Sequence, residues 1–199
     1  MLVFYLIREG DTDPSRSMDP YNMPLTPTGV QSVRRWATCS RDWGLQMLCS
    51  STLRPALDTA DLLEHNAHVA VRWDLAELED LALDDLNYDP RATHLVSTWT
   101  PEQLEQGLIS LWTRLVPAYA RILLYAQTYG LESVAIVASE RVLNLLLACW
   151  LEADWRQTLE ARFSFESTPV CRVTLDDGIP VQIAFLVCPE SDGEQEATA

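Results

Sequence analysis

The sequence predicts a three-layer α/β/α sandwich around a mostly parallel sheet, with a β-hairpin at its C-terminal end. Three observations lead there. Short apolar runs at Leu2 to Ile7 and Val134 to Val137 are continuous rather than alternating, as strands buried on both faces require. Such runs alternate along the chain with segments whose apolar residues follow the helical period, the βαβ order of a parallel sheet. Finally, Asp176-Asp177-Gly178 separates two strand-like stretches, a strong hairpin signal.

Taken in order, Leu2 to Ile7 is the first strand and stops at Arg8-Glu9-Gly10-Asp11, a polar loop of the kind that carries ligands in open α/β sheets. Asp11 to Pro24 holds three prolines and reads as a surface loop. Leu25-Thr26-Pro27 starts a helix, with Thr26 as N-cap and Pro27 at the first helical position; Val30, Val33, Trp36 and Ala37 share a face, and the helix ends near Ser40. Leu45 to Cys49 is a second strand, followed by Ser50-Ser51-Thr52 and a helix to about Glu64 carrying Ala56, Leu57, Ala60 and Leu63 at helical spacing. Val69 to Trp73 is a third strand. An acidic stretch, Glu77 to Asp89, leads through a loop-rich region to Thr100. Pro101 then opens a long helix from Glu102 through Tyr129, expected to break or jog near Pro117. Val134 to Val137 and Glu140 to Trp150 form the next strand and helix, and Val170 to Leu175 with Val181 to Val187 form the hairpin. One domain is expected over residues 1–188, with a helical and loop insert at about 78–128 and a disordered acidic tail at 189–199.

Composition narrows the chemistry. The chain has 199 residues and a formal charge of -15, and its 14 basic side chains are all arginine. Without lysine there can be no Schiff-base enzyme, no P-loop NTPase and no lysine general base. Any anion site must use arginine, amides or helix ends. The acidic field argues against nucleic acid and anionic lipid as partners. No apolar run reaches the roughly 18 residues needed to span a bilayer, and Val142 to Ala148 reads as a buried helix instead. With no basic leader before the first apolar run, a cytoplasmic location is expected. Five cysteines, at 39, 49, 149, 171 and 188, lie in apolar segments without CxxC spacing. They suggest buried thiols rather than a disulfide framework or a zinc cluster, and neither a metal nor another cofactor is expected. The acidic run Glu77-Leu78-Glu79-Asp80, then Asp84 and Asp85, lacks calcium-loop spacing and is expected to be a solvated face. Most of the seven tryptophans suit core packing, although Trp99 and Trp112 are placed where an insert would line a pocket or interface.

The ends of the predicted strands, near Arg8, Ser51, Glu77 and Ser139, resemble a known family, the histidine phosphatases or phosphoglycerate-mutase-like proteins. In that family the first strand ends in Arg-His-Gly with Thr or Ser soon after, matched by Arg8-Glu9-Gly10 and Thr12. A Leu-Thr-x-x-Gly-x-x-Gln element is matched by Leu25 to Gln31, with the Gln one place early. A Ser-x-Leu-x-Arg-Ala-x-x-Thr-Ala element is matched by Ser51 to Ala60, a Leu-x-Glu element by Leu75-Ala76-Glu77, and the strand that ends in His-Gly by Val134 to Glu140. The resemblance runs from about residue 2 to 187 and implies the phosphoglycerate-mutase-like form of the sandwich.

It also implies roles, and here the chain departs from the pattern. The family's first His is the nucleophile, its second His and two Arg bind phosphate, and an acidic residue donates the proton. Glu9 stands at the nucleophile position, Pro55 at the second Arg with Arg54 one place early, and Ser139 at the second His; Arg8 and Glu77 remain. A carboxylate at position 9 repels an incoming phosphate dianion and would form an acyl phosphate, a different chemistry from imidazole. Glu9 is instead expected to pair with Arg8 or Arg141 in a closed polar cluster. Arg8 with Arg54 is a candidate anion site, although a shift of one residue on a helix turns a side chain by about 100°. His65, His68 and His94 lie away from the strand ends, His94 being in an insert that could fold over the pocket. Ser139 lacks the nucleophile elbow.

The expectation is therefore a catalytically inactive histidine-phosphatase-like protein with a scaffold, partner-binding or anion-sensing role. Its partner would be a protein, a small phosphorylated or carboxylated ligand, or a second copy in a homodimer. The alternative is a phosphomonoesterase or mutase-like hydrolase of altered chemistry, with Glu9 and Glu77 as catalytic groups.

Overall fold

The computed structural model describes residues 1–13, 23–67, 69–86, 96–159, 163–165 and 169–188. Six strands form one sheet: β1 (Leu2–Arg8), β2 (Met47–Ser51), β3 (Val71–Leu75), β4 (Ser133–Ala138), β5 (Val170–Asp176) and β6 (Ile179–Phe185). Their order is β3-β2-β4-β1-β5-β6. The first four are mutually parallel, so their C-terminal ends share one edge, while β5 runs antiparallel to β1 and β6 antiparallel to β5. The expected three-layer sandwich with a terminal hairpin is the observed architecture.

Each central strand divides its side chains between two cores, which explains why the strands read as unbroken apolar runs. Phe4, Leu6, Met47, Cys49, Val134 and Ile136 face one cluster, together with α3 (Pro101–Thr128) and α4 (Glu140–Trp150). Tyr5, Ile7, Leu48, Ala135 and Val137 face the other, together with α1 (Pro27–Cys39) and α2 (Arg54–Ala67). Leu111, Leu115 and Ile122 seal the α3 side, and Trp36, Ala60 and Leu63 the opposite side.

The local signals explain the element ends. Thr26 caps α1, its hydroxyl accepting from Gly29 N–H at 2.9 Å, with Pro27 in the first turn. Thr100 and Gln103 form a capping box at the start of α3, at 2.9 and 3.2 Å. In the hairpin, Asp177 and Gly178 both have positive φ (50° and 81°), the type I′ geometry that matches strand twist.

The structure corrects several expectations. Helix α3 runs unbroken through Pro117; Thr113, whose carbonyl loses its helical partner there, and Pro117 itself both lie on the exposed face of the helix rather than against the core. The second and third strands begin two residues later than expected: Gly44 turns the chain at φ 60°, and the side chain of Gln46 accepts from Glu132 N–H and Ser133 N–H at 2.6 and 3.2 Å before pairing starts at Met47. His65 belongs to the last turn of α2 rather than following it. Cys39 and Cys188 are joined in a disulfide, with Cα atoms 6.6 Å apart across 149 residues of sequence. The topology brings the end of α1 beside the segment after β6, a proximity that cysteine spacing does not reveal. Cys49 and Cys171 are buried thiols, and Cys149 is half-buried. His68, His94, the segment 87–95 and the tail 189–199 lie outside the described residues.

Candidate functional site

The site forms where β1 and β4 end side by side. Glu9 N–H donates to Ala138 O at 3.1 Å, which holds the first loop against the last turn before α4. Gly10 N–H donates to Thr59 Oγ1 at 3.0 Å, and Thr59 in turn donates to Pro55 O at 2.7 Å, so α2 fixes the same loop from the other side. A side chain at position 10 would bring its Cβ within 2.8 Å of Val33 on α1, so glycine is needed for close packing. Thr26 N–H donates to Asp11 O at 2.8 Å and closes the loop onto α1.

Glu9 is half-buried as a residue, yet its Oε2 is sealed from solvent and finds no hydrogen-bond partner. Burial raises its pKa to about 7, the charge of Asp80 pushes the same way, and Arg8 opposes both. The expected closed pair does not form around that oxygen. Arg8 turns to Asp11, and Arg141 turns to Asp80. Both carboxylates sit nearer solvent than Glu9 Oε2, and the two guanidinium groups turn toward them and away from it.

Asp80 itself is firmly placed. Arg114 of α3 donates to the carbonyls of Glu79 and Asp80 at 2.7 and 3.0 Å and pairs with Asp85 at 3.4 Å. Asp85 is buried and also accepts from Ser110 at 2.7 Å, while Glu79 accepts from Thr52. The acidic run expected to face solvent is therefore folded inward at Asp80 and Asp85, because Arg114 and Arg141 reach it from the helices.

The other sequence-derived candidates spread out. Glu77 pairs with Arg121 of α3 at 3.0 Å. Arg54 pairs with Asp58 along the exposed face of α2 at 3.5 Å, while Pro55 is buried in the first turn of the same helix. Ser139 caps α4, accepting from Val142 N–H at 3.4 Å. His65 is exposed.

A cavity of about 200 Å³ opens beside Arg8 and Glu9. Its second wall is α1, through Ser32, Arg35 and Trp36, and its rim includes Val187 and Cys188. Arg54, Glu77 and Ser139 are not among its walls. Arg35 and Asp80 are the residues that sequence reasoning missed: Arg35 sits on a helix with no motif, and nothing in the spacing of the acidic run separates Asp80 from its neighbours. Trp99 is buried and lines a separate cavity of about 340 Å³ with Leu104, Leu108 and Arg141. Among the described residues no group of three or more His, Cys, Asp or Glu is arranged to hold a metal, and no helix is long and apolar enough to cross a membrane.

Four parallel strands and an antiparallel hairpin edge, with the site at the ends of β1 and β4, make up the phosphoglycerate-mutase-like form of the sandwich, as in the solved structures below. Residues 4–185 match the pattern of the histidine phosphatase superfamily (branch 1), and the chain belongs to that superfamily. Among solved structures it is similar to the α-ribazole phosphatase from Shigella flexneri, with a TM-score of 0.71 and 18% identity over 90% of this chain and 93% of that one. It is similar to Bacillus stearothermophilus YhfR, with a TM-score of 0.71 and 21% identity over 90% and 94% of the two chains. A mycobacterial glucosyl-3-phosphoglycerate phosphatase in complex with VO3 aligns at a TM-score of 0.67 and 19% identity over 94% and 98%. At these identities the likeness is one of fold. No curated protein matches by sequence.

Proposed function

We propose that this chain is a catalytically inactive member of its superfamily, a folded scaffold that binds a small phosphorylated or carboxylated ligand or a protein partner without turning it over. The observation that carries this reading is Glu9. Where the family resemblance implies a histidine nucleophile, a carboxyl stands with one oxygen sealed from solvent and a second carboxylate, Asp80, acting on it. Asp80, and Glu9 once it has lost its proton, oppose a phosphate dianion, and the sealed Oε2 cannot reach phosphorus without rearrangement. Pro55 and Ser139 remove further positive charge and donors from the implied pocket, and both serve helix α2 or α4 instead.

Residues 1–188 are taken as the binding unit, with 78–128 as its insert. Within it, Arg8 and Arg35 line the cavity beside Glu9 and would supply the charge for an anion. Arg54 would join them only by leaving Asp58. Intact-mass measurement after exposure to a generic phosphomonoester tests this reading: an unmodified chain supports it, and a phosphorylated one overturns it.

One observation favours the alternative hydrolase. A carboxyl that titrates near 7 is suited to general acid catalysis at neutral pH. On that reading turnover would rise as Glu9 takes up its proton and vanish in Glu9→Gln.

A further inference from the structure

The cavity beside Glu9 is built on one stripe of α1. Ser32, Arg35 and Trp36 line it, and Cys39 follows them at the same helical spacing on the same face. The rim beside this stripe is formed by Val187 and Cys188, the short segment that leaves β6. The disulfide between Cys39 and Cys188 thus ties the cavity's helical wall to its rim.

Among the described residues that tie is the one covalent cross-link of the rim, beside the packing of Leu186 and Cys188 against the core that Trp36 shares. Backbone pairing ends at Leu186, whose N–H donates to Val170 O at 2.9 Å. Beyond it Val187 is 80% exposed, and Cys188 Sγ lies 3.7 Å from Arg35 O. The wall itself is stiff, since Trp36 packs near Trp43, which stacks on Tyr5 at 4.3 Å. Breaking the bond would therefore release the rim and leave the helix in place.

We propose that the Cys39–Cys188 disulfide is a redox latch that controls access to the Glu9 cavity. A dithiol reductant, of thioredoxin or dithiothreitol type, opens it: one thiolate attacks one sulfur of the bond, the other sulfur leaves as a thiolate and takes up a proton. The second thiol of the reductant then resolves the mixed disulfide, so that two protein thiols and one reductant disulfide result. The latch is defined by the cavity's walls, so it stands whether or not the cavity holds a ligand or a phosphoryl group.

The test uses the full-length protein, oxidised and reduced, with a water-soluble carbodiimide and an amine as probe and peptide mass mapping of Glu9 as readout. Glu9 should be labelled several-fold faster after reduction. Cys39→Ser/Cys188→Ser should be labelled at the fast rate with or without reductant. Circular dichroism reports that the fold survives, and faster amide exchange at residues 186–188 with none in α1 marks release of the rim. Equal labelling rates in the two redox states, a double variant that still responds to reductant, or absence of the disulfide from protein purified without reductant would each overturn the latch. Loss of the whole fold on reduction would also overturn it, because the bond would then be a general staple.

Discussion

Asp80 and Glu9 bring two carboxyl groups together at the C-terminal edge of the sheet, and the charge on Asp80 adds to burial in raising Glu9 to about 7. Asp80 is held there by Arg141 through its side chain and by Arg114 through its backbone. Replacing it by Asn removes the opposing charge and leaves Arg141 unpaired, and both changes favour an ionised Glu9. An NMR titration of the Glu9 side-chain carboxyl in Asp80→Asn should show its pKa lowered. An unchanged or raised value would mean that Asp80 does not act on Glu9.

The raised pKa of Glu9 makes stability depend on pH in a definite direction. Below its ordinary value of 4.5 the group is neutral whether the chain is folded or not. As pH rises toward 7 the folded state keeps a proton that the unfolded state has released, so stability is lost up to the folded pKa and stays lost above it. Glu9→Gln should therefore be more stable than the parent at pH 8, by on the order of 3 kcal/mol at most, and indistinguishable at pH 4. Urea unfolding at the two pH values measures this.

Gly29 packs the start of α1 against the loop that carries Asp11. A Cβ there would lie 2.5 Å from Asp11 O and 2.9 Å from Asp11 N, both backbone atoms with little room to move. Gly29→Ala should lose about 1–3 kcal/mol of stability in urea unfolding, although alanine favours helix, because the clash outweighs propensity.

The disulfide closes 149 residues of chain and so restricts the unfolded state strongly. Cys39→Ser should lower stability by about 2–4 kcal/mol, and added reductant should lower the parent by the same amount while leaving the variant unchanged. Matching unfolding midpoints with and without reductant in the parent would contradict this.

What could be read from the sequence was the part that local chemistry decides. Thr26-Pro27 marks the start of α1 because a hydroxyl cap and a residue lacking N–H suit that position, and Asp177-Gly178 marks the hairpin because both residues tolerate positive φ. Glu140–Trp150 was legible to the residue from its apolar run, Val142 to Ala148, whereas its cap at Ser139 emerges only in the structure. The long-range part was not legible. Nothing near Cys39 or Cys188 announces that topology joins them. The acidic run gives no sign that Arg114 and Arg141 will turn Asp80 and Asp85 inward. The site followed the same divide: Arg8 and Glu9 were found because they end a strand, whereas Arg35 enters the cavity only through the packing of α1 against it.

On the proposed reading, the buried carboxyl at position 9 does not take over the part of a histidine nucleophile. Its most direct test is steady-state hydrolysis of a generic phosphomonoester across the neutral pH range by the purified chain, with Glu9→Gln alongside and a chelator present. The parent should show no turnover above the variant's background at any pH. Metal-independent turnover by the parent that Glu9→Gln abolishes would contradict it.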